Sequence, residues 1–195
     1  MLAKAWFILL TVSMPANIEI KAALKDRAAA ITVAEHLGAI GPETFAQEDV
    51  FFKTGRGRLK LRIFAPDRGE LIRYERPDTA EARCSRYTIA GTSDPYKLLD
   101  ILSETLERDS TVRKIRTLYL VGQTRIHFDQ VEGLGDFMEL EVVLREGQAE
   151  EDGKRIATAL LEKFGIENDQ LIAEAYVDLL AASSALVSSR ERPAG

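Results

Sequence analysis

One cysteine, Cys84, stands in 195 residues. It excludes an internal disulfide framework and any cysteine-only zinc site, and the two histidines, His36 and His127, leave little basis for a mixed one. Such sparing cysteine use fits a reduced, cytoplasmic setting. Excess positive charge is also missing, since the net charge is -5 and the pI near 5.2. That balance gives no reason to expect nonspecific binding to nucleic acid or to an anionic membrane. The glycines of Gly55-Arg56-Gly57 lack the Gly-Lys-Ser/Thr ending of a P-loop. No apolar run is long enough to span a bilayer. MLAKAWFILLTVSMPA has the outline of a weak signal peptide, but the organised pattern begins directly after Met14, which favours Met14 as initiator and 1–13 as a non-native extension.

What is present is a chain 46% hydrophobic and 29% charged, enough for one ordinary domain with its own core. We assign that domain to 14–183 and a flexible tail to 184–195. Alternation and turn residues predict strands over 17–24, 48–53, 55–64, 70–76, 82–90, 112–122, 124–133 and 136–144. Helical spacing predicts helices over 26–39, 93–107, 150–165 and 169–183. Asp26, and Ser93 or Asp94, stand where N-caps belong, and Pro95 suits a first helical turn. Strands joined mostly by short turns are antiparallel neighbours. The expected class is α+β: an antiparallel sheet of about eight strands that curls or closes into a barrel, with helices packed outside.

Residues two apart on a strand share a face. By that rule Asn17, Glu19 and Lys21 stand together, with Ile18 and Ile20 opposite. The same sorting groups Arg58 with Lys60 and Arg62, Tyr74 with Arg76, Lys114 with Arg116, and Arg125 with His127 and Asp129. Glu139 and Glu141 complete the set, opposite Met138, Leu140 and Val142. For any one strand a wet outer face explains the charges. For the set it does not, because basic pairs recur on several strands while carboxylates gather near the two ends of the chain. If these faces turn inward, the barrel becomes a charged tunnel, and buried charges are costly unless paired or metal-bound. A nucleoside or other organic or inorganic triphosphate with Mg²⁺ or Mn²⁺ meets both needs: hard carboxylates suit those ions, and Arg and Lys hold the phosphates. His127 reads as a polar lining residue, His36 as a helix-end residue and Cys84 as a small strand residue.

The stretches NIEIKA, GRLKLR, LIRYERP, KIRTLYLVGQTRIHFDQVEGLGDFMELEVVL and AYVDLL together resemble the CYTH superfamily, over about residues 14–181. Its members include class IV adenylate cyclases, thiamine triphosphatases and inorganic triphosphatases. The resemblance implies an eight-stranded antiparallel tunnel that binds triphosphates with divalent metal. Asn17-Ile18-Glu19-Ile20-Lys21 matches the opening Glu-x-Glu-x-Lys signature with Asn17 replacing the first glutamate. Asparagine can ligate through its carbonyl but brings no charge. Glu139 and Glu141 match the distal acidic pair, and Asp129 an acidic position near the metal. Lys60, Arg62, Arg76, Lys114, Arg116 and Arg125 match phosphate-binding positions. The implied metal set is therefore Glu19, Asp129, Glu139, Glu141 and Asn17. Glu19 and Lys21 are the implied catalytic residues, Lys21 as general base or as phosphate ligand. The pattern is closest to class IV adenylate cyclases, which convert ATP to cyclic AMP and pyrophosphate. A triphosphate hydrolase and a binding module without turnover are the alternatives, and the outer face of a closed sheet leaves room for a homodimer.

Overall fold

Alternating apolar residues face outward in this fold and charged ones face inward, the reverse of most small sheets. The structure, a computed structural model, describes residues 16–75 and 79–190, the last seven as backbone only. The expected extension before Met14 and the expected phosphate ligand Arg76 lie outside the described residues. In chain order the elements are β1 (Ala16–Ala23), α1 (Arg27–His36), β2 (Ile40–Phe52), β3 (Arg58–Ala65), β4 (Arg68–Glu75), β5 (Arg83–Thr92), α2 (Pro95–Thr105), β6 (Arg108–Val121), β7 (Thr124–Val131), β8 (Gly135–Val143), α3 (Glu150–Phe164), a 3₁₀ turn (Asn168–Gln170) and α4 (Tyr176–Arg190). All neighbouring strands are antiparallel, and the order β1-β5-β4-β3-β2-β6-β7-β8 closes back on β1. Closure removes the sheet edges that would otherwise invite pairing with other chains.

The apolar core lies between barrel and helices. Ile18, Ile20, Ile126, Phe128, Met138 and Leu140 pack under Ala30 and Ala34 of α1 and Ala157, Leu160 and Leu161 of α3. Helix α3 approaches closely because position 153 is glycine: a Cβ there would stand 2.5 Å from Ile18 Cγ1. Leu98, Leu99 and Leu102 of α2 cover Val50, Phe52, Leu61 and Ile63. The caps are the expected ones, with Asp26 accepting from the Ala29 N–H at 3.0 Å and Asp94 from that of Lys97 at 3.1 Å.

Two elements depart furthest from expectation. Strand β2 begins at Ile40 instead of residue 48, and its first half pairs with β6, as in Thr44↔Thr117 and Gln47↔Lys114. Pro42 and a polar run hide it in the sequence. The register shifts between Ile40 and Glu43, where a residue without an N–H can sit. The last helix starts at Tyr176 and not near 169. Pairing of β5 with β1 ends at Glu19↔Arg83, so residues 171–172 take the edge beyond it: Leu171 bridges Ala22, and the Ile172 N–H donates to the Lys21 carbonyl at 2.9 Å. The chain then crosses the barrel end, where Ala175, Tyr176 and Val177 pack on Phe51, Val112 and Phe137. One mouth is thereby plugged, and no helix among the described residues is long and apolar enough to cross a membrane.

Candidate active site

The open end leads into a cavity of about 150 Å³ lined by Asn17, Glu19, Lys21, Asp49, Lys60, Arg62, Lys114, Arg116, Arg125, Glu139 and Glu141, with Tyr176 at its floor. The register explains the convergence. Glu19 stands opposite Glu141 and Lys21 opposite Glu139 across β1–β8; Arg125 stands opposite Glu141 and His127 opposite Glu139 across β7–β8. Opposed residues in an antiparallel pair share a face.

One wall is basic and built on two buried carboxylates. Asp49 accepts from Lys60 Nζ at 2.7 Å and Arg62 Nε at 2.9 Å. Asp129, fully buried, accepts from Lys114 Nζ at 2.8 Å, from both Arg116 Nε and Nη2 at 2.6 Å, and from the Tyr176 hydroxyl at 3.1 Å. Burial alone would raise both carboxyls, yet Arg62 and Lys60 hold Asp49, and Arg116 and Lys114 hold Asp129, far below the usual range. Burial pushes the Lys60 ammonium down to about 8, with Arg62 adding to the fall and Asp49 opposing it. Lys114 is lowered by burial and by Arg116. The basic wall thus combines fixed guanidinium charge with two lysines whose pKa values burial lowers.

The facing wall is acidic. Arg116 Nη2 also reaches Glu139 at 2.8 Å, Arg83 Nε reaches Glu19 at 3.2 Å, and Arg125, 45% exposed at the mouth, stands 3.5 Å from Glu141. Burial opposes ionisation of Glu139 and Glu141, but His127 and Arg116 keep both below the ordinary value. Burial and Arg116 hold the His127 imidazole below its ordinary value, against the pull of Glu141 and Glu139. Lys21 Nζ donates to the Glu174 carbonyl at 2.7 Å and lies 4.1 Å from the Tyr176 ring centre. Asn17 is buried with its Oδ1 unpartnered.

The structure brings together every described residue expected at the site. Asp129 is distinctive among the expected metal ligands because both its oxygens are already engaged by donors. Metal-ligating groups cluster elsewhere: one donor atom each from His127, Glu139 and Glu141 lies within 4.8 Å of the others. The sequence reading did not single out Asp49, Arg83 or Tyr176. Asp49 shares a face with Phe51 in a strand read as short, and alternation with Val50 and Phe52 is the signal that marks it as inward. Arg83 alternates likewise with Cys84. Tyr176 carries no strand-parity signal, because it arrives from the plug.

A closed antiparallel barrel with its charge inside and its apolar core outside is the class these features define. Residues 15–176 match the CYTH domain, and the chain belongs to that family. Adenylate cyclase CyaB of Aeromonas hydrophila is 26% identical over 165 residues, covering 79% of this chain and 84% of that protein. Among solved structures, a Pyrococcus horikoshii protein whose name states no activity has a TM-score of 0.76 at 22% identity, covering 84% of this chain and 98% of its own. A Hippeastrum protein, first assigned as an adenylyl cyclase and described as having a dominant triphosphatase activity, has a TM-score of 0.56 at 18% identity, covering 87% and 96%.

Proposed function

We propose that this protein binds a triphosphate with a divalent cation, Mg²⁺ or Mn²⁺, in the barrel and cleaves it, with conversion of ATP to cyclic AMP and pyrophosphate as the leading reaction. One observation carries the reading. Among the described residues, seven inward cationic side chains face five inward carboxylates, so the interior holds a cationic excess inside a chain of net charge -5. A polyanion entering with a cation balances both walls. The cavity of about 150 Å³ is smaller than the roughly 300 Å³ or more of pockets that enclose a drug-sized ligand. It suits a phosphate chain, with an organic head group left outside it against Tyr87 and Ile89.

A bound divalent cation supplies charge neutralisation on the phosphate oxygens, and Glu139 and Glu141, with Glu19 beside them, would hold it. Lys60, Arg62, Lys114 and Arg116 line the opposite wall, where they grip the β- and γ-phosphates and stabilise charge on the departing pyrophosphate. Asp49 and Asp129 fix those cations in place. In the cyclase reaction the ribose 3′-oxygen attacks the α-phosphorus, the bond to pyrophosphate breaks, and the 3′ proton leaves to water. Lys21, held by a carbonyl and an aromatic face, suits a phosphate ligand better than a base. A hydrolase is the second reading, favoured by the activity described for the Hippeastrum protein; water then replaces the ribose oxygen.

Product analysis separates the readings. The chain is incubated with ATP, thiamine triphosphate and tripolyphosphate, each with Mg²⁺ or Mn²⁺. Cyclic AMP with pyrophosphate supports the cyclase; phosphate release replaces it with the hydrolase. Absence of turnover, with a triphosphate still raising the melting temperature, leaves a binding module. Asn17→Glu restores the missing charge at the first signature position, and its effect on metal-dependent turnover shows whether that ligand limits the rate.

A further inference from the structure

His127 brings a nitrogen to the acidic wall that neither cyclase nor hydrolase chemistry has used. Its side chain is buried at 4% exposure and stands on β7 opposite Glu139. Nδ1 lies 3.9 Å from Glu139 Oε2 and 3.8 Å from Glu141 Oε1. Both separations are too long for hydrogen bonds, and Nδ1 has no other partner. A buried polar atom left without a partner is costly, and here it points between two carboxylates. Donor atoms that share one ion, with bonds of about 2.1 Å, stand roughly 3 to 3.5 Å apart. A small side-chain adjustment therefore places all three on one cation, whereas Asp129, two residues along β7, is already saturated by Lys114, Arg116 and Tyr176.

We propose that His127 is a nitrogen ligand of the tunnel cation, and that the resulting His/Glu/Glu site selects a first-row transition ion such as Mn²⁺ over Mg²⁺. This deepens the triphosphate reading and rests on it for the cation's place. The chemical reason is donor softness. Mg²⁺ demands oxygen donors and keeps its waters, while imidazole favours the transition series, in which affinity rises from Mn²⁺ onward. Replacing one oxygen by nitrogen thus penalises Mg²⁺ more than its competitors.

The test uses Mn²⁺ alone as the probe. Pulsed electron paramagnetic resonance of the Mn²⁺-loaded chain reads ¹⁴N coupling, and equilibrium dialysis gives the relative affinities for Mn²⁺ and Mg²⁺. The expected result is ¹⁴N coupling in the unaltered chain, retained in His36→Gln, where the other histidine is exposed on α1, and lost in His127→Gln. The preference for Mn²⁺ over Mg²⁺ should fall in His127→Gln to that of an all-oxygen site. Should that variant not fold, the spectra of the unaltered chain and of His36→Gln decide alone. Bound Mn²⁺ that depends on Glu139 and Glu141 yet shows no nitrogen coupling overturns the proposal and leaves the triphosphate reading intact. No bound Mn²⁺, with or without tripolyphosphate, overturns both.

Discussion

Glu139 and Glu141 stand side by side on β8, where like charges repel, and the neighbouring strands answer them: Arg116 reaches Glu139 at 2.8 Å and Arg125 stands 3.5 Å from Glu141. Neutralising either glutamate as Gln keeps shape and removes charge. Metal-dependent turnover should fall at least about a hundredfold in Glu139→Gln and in Glu141→Gln, the scale of losing a charge-stabilising group, while the fold is retained by circular dichroism. Turnover unchanged in both variants rules out the acidic wall as the cation's seat. Lys60 makes a second prediction. Its ammonium, depressed to about 8 chiefly by burial, loses its proton in the ligand-free chain as pH rises through that value. A bound triphosphate favours the charged form, so binding above pH 8 must take up a proton, and affinity should decline as pH rises from 8 toward 10. Calorimetric titration across that range checks the decline, and Lys60→Arg, always charged, should reduce it. For folding the sign is opposite: a lysine whose pKa lies below its unfolded value of 10.5 makes the ligand-free chain more stable as pH rises from about 8 to 10.5. At this scale strand parity made the pairs legible, since it puts Glu19 with Lys21, Lys60 with Arg62, Lys114 with Arg116 and Glu139 with Glu141; that these faces share one interior followed from closure and the CYTH resemblance. Parity does not reveal that Asp49 and Asp129 serve as anchors, because an anchor is defined by the partner strand's cations.

Helix α3 rests on β1 through Gly153, where an added methyl would meet Ile18 Cγ1 at 2.5 Å and Leu144 Cδ2 at 2.7 Å. Gly153→Ala should cost about 1–3 kcal/mol by overpacking, despite the better helix propensity of alanine. In a chain of this size that lowers the melting temperature by roughly 2–4 °C per kcal/mol. Gly91→Ala, with nothing within 4 Å of the new methyl, is the control and should leave the melting point nearly unchanged. Helices α1 and α2 were readable from spacing and caps, and α3 from spacing, because these signals are local. The late start of α4 was not. Residues 171–174 are drawn away from helix by the edge of β1 that β5 leaves open, and by the carbonyls of Ala173 and Glu174 that Arg83 and Lys21 take, both at sequence separations a local pattern does not span.

For the molecule as a whole, the distribution of charge says more than its sum. The net charge of -5 argues against an indiscriminate taste for polyanions, while the barrel concentrates cations in one enclosed place where a low dielectric makes each count for more. Turn lengths and alternation were enough for an antiparallel sheet that curls or closes with helices outside, and the CYTH resemblance supplied the closed tunnel. What sequence could not show is that one end is stoppered by Tyr176, which sets the depth of the tunnel and joins the Asp129 network. The measurement that tests the account most directly is calorimetric titration of the full chain with tripolyphosphate in the presence of Mn²⁺. Saturable binding of one tripolyphosphate per chain, losing its dependence on Mn²⁺ when Glu139 and Glu141 are both replaced by Gln and weakened by high salt, is the expected result. Heat no greater than dilution at about 1 mM ligand, a concentration that would reveal even a site of only about 4 kcal/mol, would show that the interior charges satisfy one another and serve the fold alone.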